Sequence, residues 1–397
     1  MATLLRIDPP GDNPPPAGFA LWRLGFRPFY LGAGLFAAAS VLLWTAQHAG
    51  WIRHAYLDGA LWHAHEMLFG FTLAVVVGFL FTAGHNWSGR PTPTGPLLAA
   101  LAALWLAARI LVLTPWGWAA AAANTAFPVA CAIALAVPLV AAGNRRNYFF
   151  IALLGALGAA SAGVHLAHLG VLSLPPWLGI QLALDLVLFI MAVMTGRVMP
   201  MFTNNGVPGA GAERHDALEK LALAAVLALL AADLLRLDGE PLAVAAIVAA
   251  GAHALRWALW RPWRTLGKPI VWVLHAATLW IPIHLALRAG AALGIAPANL
   301  AAHALAIGAI GGLTIGMMTR TARGHTGRVL AADAAEVTCY LLVQAAALVR
   351  VGVPLVAPGA YLASVQVSGL LWSAGFALFA LRYWPILTRP RVDGRPG

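Results

Sequence analysis

Residues 61–71 read Leu-Trp-His-Ala-His-Glu-Met-Leu-Phe-Gly-Phe, the head of an apolar run that continues to Ala83. A run of that length is enough for one helical crossing of a bilayer, which takes about 20 apolar residues. Two histidines and a glutamate inside it need a physical reason. An ionisable side chain in a membrane span costs roughly 2.5–3.5 kcal/mol on insertion scales, so it faces a partner, a cofactor or water rather than lipid. Neutral imidazole is also the commonest side-chain ligand for metals, haem iron and copper among them, which makes this stretch a candidate metal site.

The rest of the chain has the same character. Of 397 residues, 61% are hydrophobic and 10% are charged, too little charge to cover a surface facing water. The apolar residues come in blocks rather than in alternation, so the class is an all-α polytopic membrane protein whose partner is the lipid bilayer, and not a β-barrel. The formal charge of +11 does not indicate a nucleic-acid partner, because the basic residues stand singly or in pairs between the blocks. Cys131 and Cys339 both fall inside apolar blocks, and no CxxC or CxxCH pattern exists, so any haem is held non-covalently.

Twelve spans are expected, over residues 29–48, 61–83, 96–113, 117–141, 148–169, 177–197, 217–236, 241–259, 269–289, 298–319, 333–351 and 359–384. They form a single membrane domain over 19–385. A Pro- and Gly-rich stretch at 1–18, without a signal-peptide core, reads as a disordered cytoplasmic tail, and 386–397 as a cytoplasmic C-terminal tail. With both termini in the cytoplasm, only Arg53, Arg109, Arg236, Arg288 and Arg350 of the 25 Lys and Arg residues lie outside, which leaves 25 − 5 = 20 inside. That asymmetry is what the positive-inside rule requires of a multi-pass membrane protein.

Topology sets depth. The second and tenth spans run in the same direction, so His65 and His303 each sit roughly 6–8 Å below their helix starts, at 1.5 Å per residue. His48, His54, His165, His168 and His284 fall on the same outer side, whereas His85, His215, His253, His275 and His325 fall on the inner side. A repeat supports the pairing of the two spans: Arg90 follows His65 by 25 positions, Arg328 follows His303 by 25, and Gly70 matches Gly308. The sixth span also ends in Thr-Gly-Arg, at Arg197. A period of four spans predicts three four-helix arcs around a common axis.

These residues carry a resemblance. Leu-Trp-Arg-Leu-Gly-Phe-Arg-Pro-Phe at 21–29, Trp-His-Ala-His-Glu-Met at 62–67, Asn-Trp-Ser-Gly-Arg at 86–90, Gly-Arg-Val-Met-Pro-Met-Phe-Thr at 196–203, Leu-His at 274–275 and the stretch from His303 to Arg328 resemble the NnrS family of nitric-oxide-response membrane proteins. The resemblance implies a haem- and copper-containing inner-membrane protein of denitrifying bacteria under nitrosative stress. More distantly, the chain resembles the core subunit of haem-copper oxidases and nitric oxide reductases, with twelve spans in three arcs. It departs from them where they carry a second tenth-span histidine, here Ala301, and their copper ligands, because the sixth and seventh spans contain no histidine. A standard binuclear centre is therefore not implied.

The residue roles follow from depth, repeat and resemblance together. His65 and His303 are the expected axial ligands of a haem b, with His63, His165 or His168 next in line. His63 lies about 200° around the helix from His65, so it is free for another task, and it is nominated with His275 and His325 for copper. Glu66 is expected to hydrogen-bond a ligating imidazole or relay protons. Asp185, near mid-span, is expected to be paired or proton-linked. Arg90, Arg197, Arg320, Arg323 and Arg328 form an inner-face basic cluster suited to an acidic group, a quinol headgroup or another subunit, although positive-inside bias alone supplies half of it. Arg109 and Arg350 are read as side chains that snorkel to the outer surface. For any one of these histidines the plain alternative is a buried ring satisfied by its neighbours.

The function expected on this reading is binding or handling of nitric oxide at a haem and copper site, fed by a quinol or an electron-donor protein if there is turnover. If the chain is an enzyme, it is a haem-dependent oxidoreductase, and a quinol-dependent nitric oxide reductase is one alternative. A secondary transporter is another: twelve spans with both ends inside and a long inner loop at 198–216 also fit a six-plus-six carrier.

Overall fold

The computed structural model describes residues 18–52 and 56–395. The expected N-terminal tail, apart from Gly18, lies outside them, and so do Arg53 and His54. The described chain is all-helical, at 80% helix, with no strand among the described residues. Its helices are α1 (Phe26–His48), α2 (Gly59–Ser88), α3 (Gly95–Leu111), α4 (Gly117–Ala141), α5 (Phe149–His168), α6 (Pro176–Gly206), α7 (Asp216–Leu234), α8 (Gly239–Leu259), α9 (Pro269–Ala292), α10 (Ala298–His325), α11 (Ala334–Val356) and α12 (Tyr361–Thr388).

Ten of these are long and apolar enough to cross a membrane, which makes the chain a multi-pass membrane protein. The two outside that set coincide with expected spans but are weaker. α3 has 17 residues, and α7 carries Asp216, Glu219, Lys220 and Asp233. Local signals set the helix ends. Asp333 and Glu336 form a reciprocal capping box that satisfies two orphan donors at the start of α11. Gly89 ends α2 in the left-handed region, at φ 63°, where a side chain is disfavoured.

Neighbours in sequence pack as neighbours in space from α3 to α12, and α1 closes the assembly by packing on α12 and α2. Four helices are most deeply enclosed: α2, α6, α9 and α10 have 67–78% of their apolar windows buried, against 33–50% for the other candidate spans. These central helices carry most of the polar residues singled out from the sequence.

Two boundaries differ from expectation. α6 does not stop at Arg197 but continues through Pro200 to Gly206, because Met199 and Thr203 still face the bundle interior. The long loop expected at 198–216 therefore shrinks to 207–215. α12 runs to Thr388, and the segment beyond it docks on the end of α10, with the Val392 N–H donating to the Thr326 carbonyl at 3.1 Å and Arg391 to the His325 carbonyl at 3.0 Å.

Candidate metal centre at the histidine-bearing end

α2 and α10 share an irregularity at one place. Immediately after His65, α2 widens into a π-helical segment over Glu66–Thr72, and immediately after His303, α10 does the same over Ala304–Gly311. Such segments are rare, appear mostly as short insertions in α-helices and are frequent at functional sites. A widened turn frees backbone groups, and in α2 the Gly70 carbonyl accepts from the Trp105 indole at 2.9 Å.

The side chains that meet there come from seven helices and a loop. His65 is fully buried, and its Nδ1 donates to Glu66 Oε1 at 2.8 Å. The same Glu66 oxygen accepts from Arg109 at 2.5 Å, and Arg109 reaches on to the Asn124 side-chain oxygen. Since Nδ1 carries the proton, Nε2 of His65 keeps its lone pair; it is buried and has no hydrogen-bond partner. The ring of His165, from α5, stands 4.8 Å away at 73°. Its Nδ1 is hydrogen-bonded to the Tyr56 hydroxyl at 2.9 Å, and its Nε2 is also buried without a partner.

A second pair stands beside the first. His63 and His303 face each other with ring centres 6.4 Å apart and planes 14° from parallel. Nδ1 of His303 donates to the Asn299 carbonyl at 2.6 Å, which leaves Nε2 as its acceptor nitrogen. His63 is flanked on its other side by Trp44, at 5.0 Å and 21°. From α9, His284 donates through Nδ1 to the Ala301 carbonyl at 2.8 Å and keeps a buried, unpartnered Nε2.

The structure thus gathers His63, His65, Glu66 and His303 at one end, with the rings paired as His63 with His303 and His65 with His165. His275 lies elsewhere, its Nε2 hydrogen-bonded to the Thr203 hydroxyl at 2.8 Å. His325 is at the opposite end of α10, beside the Phe26 ring. No group of three or more His, Cys, Asp or Glu side chains able to hold a metal ion gathers among the described residues, so His63, His275 and His325 do not share one ion.

Two arginines correct the reading from sequence. Arg109 does not snorkel: it is 4% exposed and sits beneath Glu66 and over the Phe36 ring. Arg350 is likewise buried, over the Tyr361 ring and 3.0 Å from its hydroxyl. Span-end position alone could not separate a snorkelling arginine from one turned inward. His165 and His284 were visible as outer-side histidines, but nothing in their spacing singled them out.

Asp185 is paired as expected, with Arg288 at 2.7 Å, and Arg288 also binds Asp233 of α7. The inner basic cluster divides. Arg323 is held by Glu336 at 2.7 Å and Asp333 at 3.2 Å, Arg320 lies over the Phe202 ring, Arg197 binds Asn147 at 2.8 Å, and Arg90 is exposed. The Arg328 guanidinium makes a long contact, 3.4 Å, to the Thr326 carbonyl.

A sequence-family model described as NnrS protein matches residues 20–391, nearly the whole chain. The chain belongs to the NnrS family. Both paired histidine sites, the π-helical segments and the Arg109–Glu66 ion pair lie inside the matched region, and membership suggests a membrane protein of the nitric-oxide response. No curated protein matches the chain.

Proposed function

We propose that the histidine-bearing end holds haem b and copper and that the chain binds or handles nitric oxide there. The observation that carries this reading is the meeting of two imidazole pairs at one end of the bundle, with the ligand-capable Nε2 atoms of His65 and His165 buried and unpartnered. A buried polar nitrogen without a partner costs free energy unless something occupies it.

The donor sets fit the two groups differently. Haem brings its own four nitrogens, so two imidazoles complete it. His63 is the imidazole whose ring stands beside His303, 6.4 Å between centres, so His63 rather than His65 would be its partner in holding haem. His65 and His165, whose rings stand 4.8 Å apart, would hold the copper. When bound, these metals supply sites that coordinate nitric oxide and exchange single electrons. The protein's part is to hold the imidazoles: Glu66 and Tyr56 fix the rings of His65 and His165, and Arg109 fixes the Glu66 carboxylate.

We further propose twelve crossings with both termini in the cytoplasm, which puts the site near the outer surface of the inner membrane. The shortened 207–215 connection removes the loop on which the transporter alternative leaned.

Optical and metal analysis of the purified chain tests the reading. A b-type Soret band and copper are expected. His303→Ala and His63→Ala should alter the band, and His65→Ala and His165→Ala should lower copper content. If His65→Ala abolishes the band while His63→Ala leaves it unchanged, the haem pair is His65 with His303 instead. Titrating nitric oxide into the reduced protein should shift these signals without sustained consumption. Steady quinol-dependent turnover to nitrous oxide would establish the reductase alternative, and protein free of both metals would remove the proposal.

A further inference from the structure

At the opposite end of the bundle, α6, α7, the end of α2 and the connection before α5 enclose a cavity of about 770 Å³. That is within the roughly 300–1,000 Å³ range of small-molecule sites. Its two halves differ in chemistry. Arg146, Arg197 and Arg214 stand at the mouth, and the interior wall is apolar, with Phe189, Val193 and Leu223. From Arg197 back to Phe189 is eight residues of α6, about 12 Å at 1.5 Å per residue.

Two of the three charges at the mouth, Arg146 and Arg197, lack a carboxylate partner among the described residues. Glu219, the one acidic residue in the lining, is paired with Arg256 at 3.0 Å, and Arg256 also donates to the Ala192 carbonyl at 2.9 Å. Gly196 makes room for this pair, since a Cβ there would lie 2.0 Å from the Glu219 oxygen. Arg214 has Asp216 at 3.0 Å. Among the described residues no carboxylate lies within ion-pair distance of Arg146 or Arg197. Arg197 is instead positioned by neutral groups, the Asn147 side chain and the Phe149 and Phe150 rings. The arginine is thus held in place with hydrogen-bonding capacity to spare.

We propose that this cavity binds an anionic phospholipid, its phosphate between Arg146 and Arg197 and the start of an acyl chain along Val193 and Leu223. A soluble phosphate would satisfy the arginines but leave the apolar wall unused, whereas a zwitterionic lipid would cover the wall and bring no net charge to the mouth. Basic pockets between membrane helices are suited to such headgroups. α7 also presents Leu221 and Leu227 outward, so the cavity borders the lipid-facing surface.

The test is native mass spectrometry of the full chain in detergent, titrated with phosphatidylglycerol, phosphatidylethanolamine or inorganic phosphate. Saturable binding of phosphatidylglycerol, weaker by at least tenfold for phosphatidylethanolamine, is expected. Arg146→Gln, an exposed change that touches no packing, should weaken it about fivefold, and the Arg146→Gln/Arg197→Gln pair more. Leu223→Trp should weaken the lipid, and Arg264→Gln/Lys268→Gln, a basic pair elsewhere at this end, should not. Equal binding of the two lipids, or no loss in Arg146→Gln, would overturn the proposal. So would inorganic phosphate competing at equal concentration, which would make the site one for a soluble anion, or displacement by a short-chain quinol.

Discussion

α2 and α10 are built on one plan and completed differently. Each carries a histidine, then a π-helical segment with a close-packed glycine inside it, then a Gly-Arg sequence at the far end. In α2 the residue after the histidine is Glu66, and the imidazole is held by a buried carboxylate that Arg109 neutralises. In α10 the following residue is Ala304, and His303 is held by its own helix through the Asn299 carbonyl. A charged carboxylate accepts a stronger hydrogen bond than a neutral carbonyl does, so the same plan holds its two imidazoles with different firmness. The cost differs too, because only α2 needs a buried cation.

The sharpest way to break this contrast is Arg109→Leu. It strips Glu66 of its cation inside the bundle, and breaking a buried pair from one side costs about 3–5 kcal/mol. A large loss of thermal stability in detergent is expected, partly restored when Glu66→Leu is added, and no comparable effect should follow any single change around Asn299. Glu66→Gln is milder. It keeps a hydrogen bond to His65 and removes the charge, so metal affinity at His65 should fall about 10–100-fold while His303-dependent signals persist. Equal loss at both histidines would show that the two helices are not independent.

The glycines sharpen the comparison from the packing side. A Cβ at Gly308 would lie 2.2 Å from the Trp280 ring, which is tied by its indole N–H to Gln344 at 2.9 Å and has nowhere to move. At Gly70 the Cβ would meet Phe36 at 2.5 Å and Arg109 at 2.8 Å. Both alanine variants should be destabilised by about 1–3 kcal/mol. Only Gly70→Ala should also disturb the metal signals, through Arg109 and Glu66.

The smallest expected effect lies outside the membrane, in the strap after α12. The hydrogen bond from Arg391 holds the Asp393 carboxyl below the usual carboxylate range, against an opposing desolvation. A depressed carboxyl contributes stability above its unfolded value and loses it as pH falls through the folded one. Hydrogen exchange at Val392 should therefore accelerate only in acid, with a contribution of at most about 1 kcal/mol because the pair is partly exposed. The histidine end should not follow the same profile.

Much of the site was legible as residues but not as pairs. The polar Trp-His-Ala-His-Glu stretch inside an apolar block stood out because polar groups in a membrane need partners, and Asp185 was read the same way and found with Arg288. Repeat spacing linked His65 to His303, and the structure placed both at one end while turning their rings toward different partners. A helix position fixes depth to within a few ångströms. The direction in which a ring points depends on rotation about the helix axis, and a π-helical insertion shifts that rotation for everything after it.

The sequence by itself determined the all-helical membrane class, the family and that His63, His65 and His303 share one end of the bundle, because these depend on local composition and on spacing along one chain. Tertiary structure alone decided which imidazoles face each other, that Arg109 and Arg350 turn inward, and that Arg197 opens onto a cavity while Arg323 closes an ion pair. Those outcomes depend on side chains from helices far apart in sequence, and in a chain so rich in Ala, Leu and Gly the apolar residues on either side of each contact carry little information about which helices meet.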